Sequence, residues 1–340
     1  MKAFILSLTA SLIFVLACTE SMDVSTQTPY PTLSHRPTLT PEPTLTPIPA
    51  TVASTPTLNI STNLEVQVDT LPKSCNSNEI SISKEWKDIL TSASFTKCVM
   101  PFGVLIGADY RMPDSYITQA AMILAEILDP DMNGLPNDPK VLSLVQEYHN
   151  AWLPMPFDPE PWHSHLEEQL GNKLNSYGLM IPKWWMEGEG EFRHSGPGEH
   201  AKNVMVEEII HFMTQFGYSR AYPEVFGVEN WNSLIAKETK HAACEWWQHP
   251  ENDCPDNPRY YDGDCSHPSC DVTEFYQQVV TTRAGMEPGW RGIGFPETKE
   301  ELESKLSDEI KAVLDNPNYN QISKPLTFSY SYATPNSIID

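Results

Sequence analysis

The residues best placed to do chemistry are Glu207-Glu208-Ile209-Ile210-His211, inside a helix-like run His200–Phe216 that is expected to stop at Gly217. In an α-helix, residues four apart stack on one face, so Glu207 and His211 can close on a single metal ion. An acid paired with an imidazole shifts metal preference toward harder divalent ions than a pair of histidines would. His200 lies eleven residues before His211, which at 3.6 residues per turn returns it to nearly the same stripe. Val204, Val206, Ile209, Ile210, Phe212, Met213 and Phe216 cover the rest of the helix, which is expected to be central to the fold. An ionised carboxylate taken out of water without donors or a cation costs several kcal/mol. Buried Glu207 and Glu208 therefore call for a metal or a hydrogen-bond network. The competing reading is a solvated helix face with no ligand.

The pattern resembles the H-E-x-x-H helix of zinc peptidases with Glu207 in place of the first His. In the gluzincin peptidases, which it resembles, a third ligand is a Glu from a separate downstream helix. The resemblance implies Glu274, in Cys270-Asp271-Val272-Thr273-Glu274-Phe275-Tyr276, as that ligand. It also implies zinc or another divalent metal as cofactor, and Glu208 as the catalytic base of a hydrolase. Asp271–Arg283 reads as a helix that Ser269 or Asp271 could cap and Gly285 could end. Glu274 would sit in its first turn, a place the helix dipole favours for an acid without further function. Tyr218 or Tyr222 could stabilise an oxyanion or simply belong to the core.

A second constellation runs from Asp129 to Asp138 between helical patterns at Ser115–Leu128, with Asp114 as N-cap, and Pro139–Tyr148. Asp129, Asp131, Asn133 and Asn137 offer oxygens at positions 1, 3, 5 and 9. Gly134 supplies the turn at 6 and Leu135 a carbonyl at 7, which is what calcium requires. The loop resembles an EF-hand loop, with Lys140 where the bidentate Glu of position 12 would be. The alternative is a metal-free turn rich in Asx and Gly.

The first residues carry one positive charge, Lys2, then an apolar run Ala3–Ala17 ending Val15-Leu16-Ala17-Cys18. This resembles a bacterial lipoprotein signal, implying cleavage before Cys18, lipidation of its thiol and a membrane-anchored protein on the extracytoplasmic side. The run is too short to span a bilayer. Residues 18–70 are then a tether dominated by Thr, Pro and Ser, as in Pro37-Thr38-Leu39-Thr40-Pro41, which cannot bury enough surface to fold. At roughly 3 Å per residue its extended stretch could hold the domain ~100 Å from the lipid. Residues 71–340 form the globular part.

With Cys18 set aside, an even six cysteines remain: Cys75, Cys98, Cys244, Cys254, Cys265 and Cys270. In an exported chain these read as three disulfides, Cys75 with Cys98 and two within Cys244–Cys270. A zinc knuckle of Cys254, Cys265, Cys270 and His267 is the alternative. The net charge of −23 becomes −24 once the leader with Lys2 is removed. Such a chain repels nucleic-acid phosphates and anionic headgroups, leaving cations and basic surfaces as electrostatic partners.

Glu160–His163 and Glu238–His241 repeat the Glu-x-x-His spacing of di-iron bundles, although Pro161 interrupts the first. Other helical patterns cover Leu166–Tyr177, Glu229–Lys240 and Lys299–Leu314, the last with Thr298 and Glu301 as a capping box. Strand candidates are Val99–Gly107 and Leu326–Ala333. The expected architecture is a single helix-rich domain, mainly α or α+β. No dinucleotide, P-loop, serine-hydrolase or kinase signature occurs. Two function classes remain: a tethered metal-dependent hydrolase of unknown substrate, and a non-enzymatic, calcium-stabilised binding or envelope-associated lipoprotein.

Overall fold

A computed structural model describes residues 68–147, 151–157, 175–176, 179, 197–247, 268–287 and 294–331. Val66–Asp340 forms one compact unit. Five strands, β1 (Lys73–Ser74), β2 (Phe95–Val99), β3 (Ile106–Asp109), β4 (Ala151–Met155) and β5 (Asn175–Ser176), lie in that spatial order. The β1–β2 and β2–β3 pairs are antiparallel, whereas β3–β4 and β4–β5 are parallel. The long helices are α1 (Lys84–Ser92), α2 (Asp114–Leu128), α3 (Pro139–Glu147), α4 (Glu199–Met213), α5 (Leu234–Glu245) and α6 (Pro268–Arg283), followed by the short α7 (Lys299–Lys305) and α8 (Asp308–Leu314). The helix-rich α+β expectation holds. Among the described residues no helix is long and apolar enough to cross a membrane.

Parallel pairing of β3 with β4 requires a crossover, and α2 and α3 supply it. Alternation along β4 sends Trp152 to one face of the sheet and Leu153 and Met155 to the other. On the Trp152 face, Leu90 of α1 and Phe95 pack with the Cys75–Cys98 disulfide, which staples β1 to β2. A Cβ at Gly107 would come within 2.8 Å of the Trp152 ring, so glycine is what lets the indole lie against β3. The other face carries the main core, where α4 packs between α2 and α6, and α5 packs on α6.

Several element boundaries differ from the sequence reading, each for an identifiable reason. Asp114 is the first residue of α2, not its cap; Pro113 holds the cap position and Asp114 pairs with Lys97 at 2.7 Å. Val99–Gly107 is broken by a 3₁₀ turn at Pro101–Gly103, where proline lacks an N–H and Phe102 takes φ 49°. The helix expected over Glu229–Lys240 starts at Leu234, because Ser233 caps it through Ala236 N–H at 3.1 Å while Asn230 holds Asn232 in a turn. Lys299–Leu314 divides at Leu306–Ser307. There Ser307 accepts from the Ile310 N–H, and its own backbone N–H is taken by Glu238 Oε1 at 2.9 Å. Asn175 and Ser176, expected in a helix, pair with β4; the rest of Leu166–Tyr177 lies outside the described residues apart from these two. Thr298 accepts from the Glu301 N–H at 3.2 Å, as the capping box requires.

Leu326–Ala333 forms no strand within its described part, 326–331. The N–H groups of Thr327 and Phe328 donate instead to the two oxygens of buried Glu126 on α2, at 2.6 and 3.0 Å. Losing an acceptor for buried or half-buried donors costs about 1–3 kcal/mol. Glu126→Leu is therefore expected to lower unfolding free energy by about that amount. Chemical denaturation should show a lower midpoint at unchanged slope, and exchange of the Thr327 and Phe328 amides should accelerate.

Candidate metal centre

Helix α4 follows Gly198 at its N-cap, has Glu199 in its first turn, and carries Glu207, Glu208 and His211 in its last two turns. It does not stop at Gly217. The run continues through a π-helical turn, Thr214–Tyr218, into Ser219–Ala221. The Thr214 hydroxyl donates back to the Ile210 carbonyl at 2.7 Å and the Ser219 hydroxyl to Gln215 at 2.6 Å. A Cβ at Gly217 would stand 2.7 Å from Val141 Cγ1 and 3.1 Å from Val145 Cγ2. Glycine here permits close packing against α3 within a continuing helix. Single π turns inside helices recur at functional sites.

The packing of α4 against α6 brings Glu274 to the Glu207–His211 face. One ligand atom from each of Glu207, His211 and Glu274 lies within 4.8 Å of the others. His211 Nε2 is 3.6 Å from Glu274 Oε2, and His211 Nδ1 is 3.5 Å from Glu208 Oε2. Ligands at ~2.0–2.2 Å around one ion stand roughly 3–3.5 Å apart, so modest rotation of the glutamates would suffice to bind. The imidazole is 4% exposed, against 16% for Glu208 and 23% for Glu274. Two carboxylates and one imidazole make a donor set that could hold a divalent metal ion. Among the described residues this is the one such convergence of His, Cys, Asp and Glu side chains.

Glu274 stands in the second turn of α6, because the helix starts at Pro268 and Ser269 and Asp271 lie inside it instead of capping it. Asp271, buried one turn before Glu274, and fully buried Gln277 and Gln278 extend a polar run along α6 that the capping interpretation overlooked. Their spacing of three and four residues from Glu274 was the available signal. His200, though on the same angular stripe, is exposed three turns away and is not among the converging residues.

The electrostatics follow from burial. Glu207 is pushed well above the usual carboxylate range by burial and then by the adjacent Glu208. Burial pushes Glu208 up to about 8. The same burial lowers His211, against an opposing pull from Glu274. Without a cation, burial therefore disfavours charge on Glu207, Glu208 and His211 alike.

The other expected sites fare differently. Asp129 is fully buried, and its oxygens accept from the N–H groups of Asn133 and Gly134 at 3.1 and 2.8 Å and from the Tyr330 hydroxyl at 2.6 Å. Asp131 accepts from the Asn133 amide at 2.8 Å, Asn133 from the Leu135 N–H at 2.8 Å, and the Asn137 carbonyl from Asn320 at 2.9 Å. Lys140, at position 12, donates to the Ala221 carbonyl and lies over the Tyr222 ring. These hydrogen bonds organise the turn. Tyr218 belongs to an aromatic cluster with Phe226 and Tyr276, and the Tyr222 hydroxyl donates to Asp138 at 2.9 Å, so both serve the core and helix α3. Buried Glu238 binds Ser307 while His241 faces solvent, so that Glu-x-x-His pair makes no site. Glu160 and His163 lie outside the described residues. Cys244 and Cys270 are both disulfide-bonded, which removes Cys270 from the zinc-knuckle reading. Cys18, Cys254, Cys265 and His267 lie outside the described residues.

Compared with known proteins, the chain matches no family model, no curated protein and no solved structure.

A pH dependence follows. A carboxyl whose folded pKa is raised contributes stability that is fully present below its unfolded value and is lost as pH rises through the folded value. For Glu208 that window runs from 4.5 to about 8, and Glu207 acts in the same direction. His211, lowered, acts oppositely: its contribution is present above 6.5 and is lost as pH falls through its folded value. Chelator-treated protein is expected to lose melting temperature from this cluster as pH rises through the glutamate window. Glu207→Gln should flatten the slope, as read by thermal denaturation across pH.

Proposed function

We propose that this protein is a membrane-tethered, metal-dependent hydrolase whose centre is Glu207, His211 and Glu274. The observation that carries the reading is the convergence of these three side chains from two separate helices. A divalent ion bound there would supply Lewis-acid polarisation and lower the pKa of a water at an open position. The chain's own residues would provide the rest. Glu207 and His211 set two ligand positions one helical turn apart, Glu274 closes the third from α6, and partial exposure of Glu274 leaves a side open to solvent. Zinc suits such a set, and the two carboxylates also suit manganese or ferrous iron.

A non-enzymatic calcium-stabilised lipoprotein is the second reading. It is favoured by one feature: burial raises Asp129, and its contact with the Asp131 carboxyl adds to the rise against hydrogen bonds from Tyr330, Gly134 and Asn133 that lower it. Elemental analysis of the purified full-length protein separates the readings. One equivalent of a transition metal, lost in Glu274→Gln and Glu207→Gln together with hydrolysis of a peptide or ester library, is expected for the hydrolase. Calcium alone, dependent on Asp131, would overturn it.

The tether reading has its own test. Cys18→Ala is expected to move the protein from the membrane to the soluble fraction, or to leave the leader uncleaved, on cell fractionation. Membrane retention of a normally processed Cys18→Ala protein would overturn lipid anchoring.

A further inference from the structure

Glu208 holds the position that a water-activating base occupies in the motif the sequence resembles, yet its placement against His211 suits a different role. Its Oε2 is 3.5 Å from His211 Nδ1, whereas Glu274, a member of the converging triad, is 3.6 Å from the other ring nitrogen, Nε2. The two acids therefore address different nitrogens of one ring. Glu208 is also not among the three residues whose ligand atoms converge. A neutral imidazole carries one N–H and one lone pair, and the partner of the N–H decides which nitrogen is free to bind a metal. With Glu208 ionised beside Nδ1 once a cation is bound, the proton belongs on Nδ1 and the lone pair points from Nε2 toward Glu274. A carboxylate accepting from a ligating histidine fixes the tautomer and the ring orientation and raises the ligand's basicity.

We propose that Glu208 is a positioning residue that accepts the Nδ1–H of His211 and thereby presents Nε2 to the metal. This deepens the metal-centre reading and rests on it. The spacing makes the contact local, since residues three apart on a helix are neighbours. It needs no movement of α6. The 16% exposure of Glu208 places its carboxyl where water competes little for the same proton. A consequence follows for the reaction: a proton released by a metal-held water would leave through a group other than Glu208.

The test uses chelator-treated full-length protein titrated with zinc or cobalt(II) alone, with folding of each variant checked by circular dichroism. Outer-shell partners of this kind are worth about 10–100-fold in metal affinity. Glu208→Ala is expected to weaken binding by about that factor. Glu208→Gln, whose amide oxygen still accepts from Nδ1–H, should restore most of it. Metal affinity in Glu208→Ala equal to that of the unsubstituted protein would overturn the positioning role. So would Glu208→Gln binding as weakly as Glu208→Ala, because charge and not hydrogen bonding would then be responsible. Should Glu208→Ala fail to fold, nitrogen-15 NMR of the zinc-loaded unsubstituted protein decides. Nδ1 protonated and Nε2 on the metal supports the assignment, and Nδ1 on the metal overturns it. Failure of the metal centre itself is distinguishable: the unsubstituted protein would then bind no ion, whatever stands at position 208.

Discussion

An ionised carboxylate leaves water only if donors or a cation replace its hydration, and this acidic chain meets that constraint repeatedly inside one domain. Glu126 holds the C-terminal segment through two backbone N–H groups, Asp129 holds its own loop and Tyr330, and Glu238 holds the start of α8. In each case the acid joins pieces far apart in sequence. Backbone donors that a strand or helix would otherwise have satisfied are spent on a side chain. These acids organise the periphery of the helical core. Glu207 and Glu208 differ in what raises them: burial raises both, and the adjacent Glu208 adds to the rise at Glu207. A cation held by Glu207 is the partner that would bring that acid under the same rule.

The position of the centre follows from the way the helices pack. Helix α4 must be apolar enough to lie between α2 and α6, which Met205, Ile209 and Phe212 achieve, while one edge of its last turns faces α6 with Glu207 and His211. The π turn that follows keeps the chain helical past His211 and sets Gly217 against Val141 and Val145 of α3. The α3 contact therefore fixes the far end of α4, and the α6 contact brings Glu274 to its acidic edge. A rigid frame of this kind is what keeps side chains that could bind one ion close together.

Much of this is legible in the sequence alone. The i, i+4 pair and its apolar surroundings identified α4, and Glu274 was reached through a resemblance to a peptidase helix. The six cysteines beside Cys18 read as disulfides, and Cys75–Cys98, paired in that reading, is one of them. What was not legible depended on long-range partners. Nothing local to Thr327 and Phe328 says that their N–H groups will meet Glu126 instead of a neighbouring strand. Gly217 looked like a helix stop because its function, admitting α3, belongs to residues Val141 and Val145 far away in the chain. Leu306–Ser307 interrupts a good helical pattern because Glu238, on another helix, takes the Ser307 N–H.

The calcium-like loop shows why a ligand pattern alone is a weaker guide than convergence. Asp, Asn and Gly are chosen by calcium loops and by metal-free turns for overlapping reasons: short oxygen side chains that accept from nearby N–H groups, and a residue tolerant of positive φ. Met132 and Gly134 do take positive φ, and the Asp129 carboxylate accepts from two N–H groups within the turn, so the sequence features are accounted for by the turn itself. No such account covers Glu207, His211 and Glu274. An acid and an imidazole four residues apart are not required to make α4 a helix, and an acid in the second turn of α6 is beyond the strongest reach of the helix dipole. Their meeting across two helices is a tertiary fact that secondary structure does not demand, which is why this candidate metal centre, and not the Asp-rich loop, is the stronger basis for a functional proposal.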